Sequence, residues 1–382
     1  MKCDGRGNTI ALIGPMPPHR GGIAQYGLRL HQALRAGSDA TTFAFKRQYP
    51  VWLYPGESDI DPDGERIEGD NVRYSIDSLN PLSWISTAHA IVALRPIAAV
   101  MQWWTVFWWP AFMLIALRLR SKGIPVILLC HNVVDHESSS WKEWLSTRML
   151  GLADGFVVHS REHRSLLEAR FPGRPIMQAP IPTYEDHAQS SHRLEKRGRL
   201  DLLFFGFLRP YKGLDVLLDA LELLGDREVY LTVAGEAWDD CSDTVERLRR
   251  MEGNNLELHL EFVPGDLAAA LFERADAVVL PYEKASGSAV VALAYNFDKP
   301  VVASRVGGLL DAVVEGETGV FFSPGNPREL ADILSNLDRS RLAELARGVA
   351  QYRSSHGWSQ FADAVGKLAQ EVAHAPNKHA RS

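Results

Sequence analysis

Short apolar runs alternate with stretches of helical period along most of this chain. "TIALIG" (9–14), "TTFAF" (41–45), "IAAVMQW" (97–103), "PVILLCHN" (125–132) and "GFVVHS" (155–160) read as strands, being rich in β-branched, aliphatic and aromatic residues. Helical patterns separate them near 23–36 and 83–94, and again over a tryptophan-rich stretch starting at 103. Strand and helix in alternation predict a parallel sheet with helices on both faces. The stretch "APIPTYEDHAQSSHRLEKRGR" (179–199) is polar, contains proline and has no period, so it reads as a linker. The alternation then restarts, with strands expected at 200–207, 229–235, 256–263, 277–282, 300–304 and 318–325. Helices are expected at 213–224, at 266–274 and after Gly287. A last amphipathic pattern, "WSQFADAVGKLAQEVA" (358–373), has no strand after it. The expected organisation is α/β: a domain over 1–180, a linker over 181–199, a second domain over 200–355, a closing helix within 356–374 and a disordered tail over 375–382.

Composition narrows the function. A chain of 382 residues exceeds one ordinary core and fits two domains. Its net charge of −6 argues against a nucleic-acid partner, which demands clustered Lys and Arg over a broad surface. Three cysteines without metal-ligand spacing, and a polar lead "MKCDGRGNTIALIG" in place of a signal peptide, point to a reducing cytoplasm. The longest apolar run, "WWTVFWWPAFMLIAL" (103–117), is too short to span a bilayer and contains Pro110. It reads as a helix covering the sheet. Its tryptophans, followed by Arg118, Arg120 and Lys122, also suit a membrane interface, so peripheral association at the inner face of a membrane is a second expectation.

Candidate chemistry sits where predicted strands end. Gly21 and Gly22 precede a helix whose first-turn N–H groups would face an approaching phosphate. The dinucleotide fingerprint G-x-G-x-x-G is absent from this turn, which disfavours a nicotinamide enzyme. His131 closes a strand, where a parallel sheet presents side chains to a ligand, and His136 follows on the same rim. In "FFGFLRPYKGLDVLLDALELL" (204–224), Gly206, Arg209 and Lys212 stand in a strand-to-helix turn. Two cations beside a helix N-terminus imply an anion, because the helix dipole there repels positive charge. In "LPYEKASGSAVVALAYNFDKPVVAS" (280–304), the amides of Ser286, Gly287, Ser288, Ala289 and Val290 open an apolar helix and would grip the same diphosphate.

In order and spacing these pieces resemble the family-4 retaining glycosyltransferases. The matching segments are the Gly21–Gly22 turn, "HN" at 131–132, "FFGFLRPYKGLDVLLDAL", "VAGEAW", "FVPGDLAAALFERADAVVLPY", "DKPVVASRVGGLLDAVVEGETGVFFSPGNPRELADIL" and the closing helix. The resemblance implies the GT-B architecture, two Rossmann-like domains facing across a cleft, with the last helix crossing back to the first domain. It implies transfer of a sugar from a nucleoside-diphosphate sugar with retention, without a cofactor or required metal. Gly21 and Gly22 would then face the donor phosphate, His131 the donor sugar, and Lys212 the leaving diphosphate.

Two departures stand out. Phe207 takes the place of the arginine that commonly follows the glycine of the family's "GR…KG" turn, and Arg209 comes two residues later. The family's two glutamates, eight apart, align with Ala285 and Leu293, leaving Glu283 as the nearest carboxylate. The acceptor, whether glycan, lipid-linked or small molecule, would meet the first domain near Arg47, Tyr49, Trp103 and His136. Two rival readings stay open. One is a metal-dependent transferase using "DIDPD" (59–63), and the other is a catalytically silent sugar-nucleotide-binding subunit, motivated by the missing carboxylates.

Overall fold

The structure is a computed structural model that describes residues 9–50, 59–61, 64–69, 71–133, 140–183, 190–225, 229–253, 255–285 and 287–375. It divides into two compact units. One comprises Met1–Ala179 with Trp358–Ser382, the other Pro180–Gly357.

Unit 1 runs β1 (Thr9–Ile13), α1 (Gly22–Gly37), β2 (Asp39–Arg47), β3 (Val72–Asp77), α2 (Pro81–Leu94), β4 (Ala98–Trp103), α3 (Trp109–Arg120), β5 (Val126–Cys130), α4 (Ser140–Leu150), β6 (Gly155–Val158), α5 (Arg161–Arg170) and β7 (Ile176–Gln178). The strands form one sheet in the order β3-β2-β1-β4-β5-β6-β7, parallel at every pairing. Inner strands such as β4 and β5 are buried at every residue, as a sheet covered on both faces requires. Right-handed crossovers place α1 on one face and α2, α3, α4 and α5 on the other.

Unit 2 runs β8 (Leu200–Phe205), α6 (Leu214–Leu224), β9 (Val229–Ala234), α7 (Ser242–Met251), β10 (Leu256–His259), α8 (Gly265–Arg274), β11 (Ala277–Leu280), α9 (Ala289–Asn296), β12 (Val301–Ser304), α10 (Leu309–Ala312), β13 (Gly319–Phe322), α11 (Pro327–Asn336) and α12 (Arg339–Ser355). Its parallel sheet has the order β10-β9-β8-β11-β12-β13. The closing helix, α13 (Trp358–His374), belongs to unit 1. Its buried Trp358, Phe361, Val365, Leu368 and Val372 recur at helical spacing and pack on α1, β4, β6 and β7.

Three expectations need correction. The tryptophan-rich segment is not one helix: Trp103 ends β4, a single 3₁₀ turn covers Val106–Trp108, and α3 starts only at Trp109. The Thr105 hydroxyl accepts from the Phe107 amide and Pro110 fixes the new helix start, so the chain re-enters helix after the strand. Trp103 and Trp108 are only 2% and 1% exposed and lie in the apolar core, which removes them from any membrane surface. The second half of the expected linker is pinned to unit 2. There Ser190 and Ser191 bond Asp266, Lys196 pairs with Asp276, and Arg199 donates to the carbonyls of Leu334 and Leu337. The elements β3, α5, α7 and α12 escape the apolar pattern because their exposed positions carry mainly polar residues, α4 because Trp141 and Trp144 stand on its outer stripe, and β7 because it has only three residues.

Trp358 meets the Tyr26 ring edge-on at 4.8 Å, and Phe361 lies against Tyr26 and His159. Trp358→Ala is expected to destabilise unit 1 by about 3 kcal/mol, read as a lower denaturant midpoint with the slope unchanged.

Candidate active site

In each sheet one pair of neighbouring strands sends its following helices to opposite faces, and the crevice beyond their carboxyl ends is where such sheets bind ligands. In unit 2 that pair is β8 and β11. The turn after β8 is pressed onto the end of β11. Gly213 has φ 62°, and a Cβ there would lie 2.0 Å from the Pro281 carbonyl oxygen, so only glycine fits. This approach carries Lys212 into the crevice. Its Nζ lies 5.7 Å from the Tyr282 ring centre, and a Cβ on Gly206 would lie 3.1 Å from it and 3.7 Å from Val290.

The Lys212 side chain is only 8% exposed. Burial first, and the Arg209 charge second, push its pKa down to about 8, and no carboxylate among the described residues offsets them. Arg209 turns elsewhere, with its guanidinium over the Trp238 ring at 4.2 Å and its Nε 3.3 Å from Asp240 Oδ2. The two cations of the turn therefore have different surroundings. Lys212 is held without a counter-charge, whereas Arg209 has one.

The helix α9 opens at Ala289 beside Val290, with Gly287 and Ser288 before it, no side-chain cap and no acid in its first turn. The Ser288 side chain hydrogen-bonds the Tyr282 hydroxyl, whose pKa burial raises. Ser286 lies outside the described residues. Ala285 is buried and Leu293 packs on the unit 2 core, so both positions aligned with family glutamates serve packing. Glu283 is exposed, and its amide donates to the Tyr211 carbonyl at 2.7 Å.

In unit 1 the corresponding strands are β1 and β4. Gln102, at the end of β4, is fully buried, and its Oε1 accepts from His131 Nε2 at 3.0 Å. Gly14 and Gly27 leave room for that amide, since a Cβ on either would lie 2.3 or 2.9 Å from Gln102 Nε2. The bond keeps the proton of neutral His131 on Nε2. Burial, and secondarily His159, hold the His131 pKa well below 6.5. Burial brings that of His159 to about 4, partly opposed by the bond its Nδ1 donates to the Ala179 carbonyl. Tyr26 stands edge-on to His131 at 4.8 Å. Gly21 and Gly22 are exposed at the start of α1, which has neither a side-chain cap nor an acid in its first turn.

Sequence reasoning missed Gln102, Tyr26, His159, Trp238 and Tyr282. A polar residue within the apolar run "AAVMQW" was the available signal for Gln102.

The residues expected to meet an acceptor have other duties. Trp103 is corrected to a core side chain, as its place at the end of a fully buried strand requires. Arg47 makes a bidentate pair with Asp77 at 2.7–2.9 Å. The Tyr49 hydroxyl accepts from Trp104 Nε1 at 3.1 Å. His136 lies outside the described residues. Of the acidic stretch 59–63, Asp59 accepts from the Tyr49 amide and lies 3.4 Å from His19 Nδ1, while residues 62 and 63 are outside the described set.

Two parallel sheets, each with an uncapped helix start at its switch point, fit the GT-B architecture, and the comparisons identify the class as glycosyltransferase. Residues 21–183 match the family described as "Glycosyl transferase 4-like domain", and 199–339 match "Glycosyl transferases group 1". The chain belongs to the family-4 glycosyltransferases and is a transferase enzyme. It is similar to the GDP-mannose:glycolipid 4-beta-D-mannosyltransferase of Xanthomonas campestris pv. campestris, 27% identical over 254 residues, spanning 65% of this chain and 69% of that protein. It also resembles a D-inositol 3-phosphate glycosyltransferase of Pseudarthrobacter chlorophenolicus, 31% identical over 188 residues, spanning 47% of this chain and 44% of that one. Its fold matches the crystal structure of Anabaena HepE in complex with UDP and glucose, with TM-score 0.71 and 15% identity over 95% of this chain and 99% of that one.

Two pH-linked outcomes follow from the buried charges. Lys212 carries its full burial cost below about pH 8, and the cost fades as pH rises toward the ordinary 10.5. Lys212→Met should therefore raise the stability of the nucleotide-free protein at pH 7 by about 1–3 kcal/mol, measured by chemical denaturation. The buried neutral histidines act in the acid range. As pH falls from 6.5 toward 4 the unfolded chain gains protons that folded His131 and His159 refuse, so stability should drop, and His159→Phe should make that drop shallower in a pH series of thermal melts.

Proposed function

We propose that this enzyme transfers a sugar with retention of configuration from a nucleoside-diphosphate sugar to a glycolipid or glycan acceptor, without a required metal. The observation that carries the reading is the Lys212 ammonium, buried beside the uncapped start of α9 with no carboxylate among the described residues to neutralise it. A diphosphate supplies the missing charge. As the bond between the sugar and the diphosphate breaks, its electrons collect on the leaving phosphate oxygen, and a preorganised cation is worth most at that moment. The acceptor hydroxyl oxygen forms the new bond on the face the diphosphate leaves, and its proton passes to a basic oxygen at that face. In this scheme the first-turn amides of α9 and of α1 after Gly21 and Gly22 hold phosphate oxygens. Neutral His131 meets the donor sugar, and Glu283 is the available carboxylate. The glycolipid acceptor is taken from the name of the Xanthomonas relative, whose donor is GDP-mannose.

The apolar side chains at Ala285 and Leu293 favour a second reading, a sugar-nucleotide-binding subunit that does not turn over. Transfer from GDP-mannose and UDP-glucose to lipid-extract acceptors, with and without EDTA, separates the readings. Turnover that survives the chelator supports the first, and donor binding with no transfer to any acceptor supports the second.

Lys212→Ala should weaken nucleoside diphosphate binding at pH 7 by about tenfold or more by calorimetry. Wild-type affinity should itself fall above about pH 8, where the free ammonium loses its proton, and the variant should lose that dependence. Arg209→Ala should have the smaller effect, because Asp240 already pairs with Arg209. With leucine at 293, UDP and dUDP should bind within about tenfold of each other, since a site without a ribose acceptor does not reject the deoxy analogue. A preference for UDP of about a hundredfold would show another group on the ribose.

A further inference from the structure

The helical layer α2–α3–α4 on one face of the unit 1 sheet has an outer surface that its own core does not explain. On α4 the buried Ser146, Met149 and Leu150 face inward, while Trp141, Trp144 and Arg148 share the opposite stripe. Trp141 and Trp144 are 60% and 54% exposed, and cations lie against them. Lys142 Nζ is 6.0 Å from the Trp141 ring centre, and the Arg148 guanidinium is 4.9 Å from that of Trp144. Leu82 and Ile85 of α2 and Leu117 of α3 add exposed apolar area, and the outer faces of these helices meet where Arg118 approaches His89 at 3.3 Å.

Charge is as one-sided as hydrophobicity. The helix α2 carries no Asp, Glu, Lys or Arg, and α3 carries Arg118 and Arg120 with no acid. On α4 the one acid, Glu143, is held by Arg170 at 3.2 Å. Arg120 is taken by Asp154, which leaves the exposed Arg118 and Arg148 facing outward from a chain whose net charge is −6.

From this layer we infer that unit 1 docks through α4 and the outer faces of α2 and α3 on an anionic bilayer surface. Tryptophans bury their rings at the depth of the headgroups, and the exposed Arg118 and Arg148 meet lipid phosphates. Positive charge concentrated on one face of an acidic protein is complementary to such a surface. The docking face is thus α4 and its neighbours, and not the buried tryptophans of 103–108. The inference is independent of the catalytic reading, and its test uses no turnover.

The test is flotation of the full chain with phosphatidylcholine vesicles, with and without phosphatidylglycerol. Wild type should float with the anionic vesicles, less so in high salt. The double variant Trp141→Ser, Trp144→Ser should reduce the bound fraction by about tenfold or more, and Arg148→Glu should reduce it on anionic vesicles. Far-UV circular dichroism and a cooperative thermal melt should match wild type in both variants, which certifies their folding. Wild type remaining in solution with both vesicles overturns the proposal, as does binding that the double variant leaves unchanged. Sedimentation showing a dimer that the double variant breaks, without vesicle binding, would assign the face to a second copy of the chain instead.

Discussion

Right-handed crossover between parallel strands is the constraint on which both units depend. Once β8 sends α6 to one face and β11 sends α9 to the other, the backbone has no means of closing the gap beyond their carboxyl ends. Amide donors and the turn after β8 are brought to that gap by the winding itself. The same logic sets β1 beside β4 in unit 1, where Gly14, Gly27 and Gln102 crowd together behind His131. Chemistry in each unit is placed by topology before any particular side chain is chosen.

The side chains then set opposite electrostatics in the two units. Unit 2 buries Lys212 with no carboxylate beside it among the described residues, a cost that a bound anion would remove. Unit 1 buries imidazoles that stay neutral because their surroundings of Tyr26, Trp358 and Phe361 offer no counter-charge. A neutral imidazole can hydrogen-bond a hydroxyl group without drawing an anion to itself.

Much of this was legible from the amino-acid pattern. Buried strands announce themselves as continuous apolar runs, so the strands near His131 and Lys212 could be read directly, whereas the order of strands within each sheet could not. Lys212 was identifiable because a cation at a strand-to-helix turn conflicts with the helix dipole. What escaped was tertiary: nothing in "FLRPYKG" tells that Arg209 will stack on Trp238, nor that Asp240 will neutralise it. Composition misled at 103–108, because tryptophans that line a core and tryptophans that face outward are the same letters. Only packing separates Trp103 and Trp108 from Trp141 and Trp144. The edge strand β3 and the polar helices α5 and α12 were invisible for a related reason, since elements that bury little leave a weak period.

The place of α13 also bears on how the chain is made. Unit 2 is one uninterrupted stretch, Pro180–Gly357, so its core can form without waiting for any segment beyond it. Unit 1 begins first and finishes last. Its seven strands are synthesised early, yet the surface of α1 that holds Tyr26, Leu30 and Leu34 stays uncovered until Trp358 through Val372 arrive. Until they do, the apolar face of α1 lacks the segment that covers it in the folded enzyme. Order of synthesis and order of completion are reversed between the two halves of this enzyme.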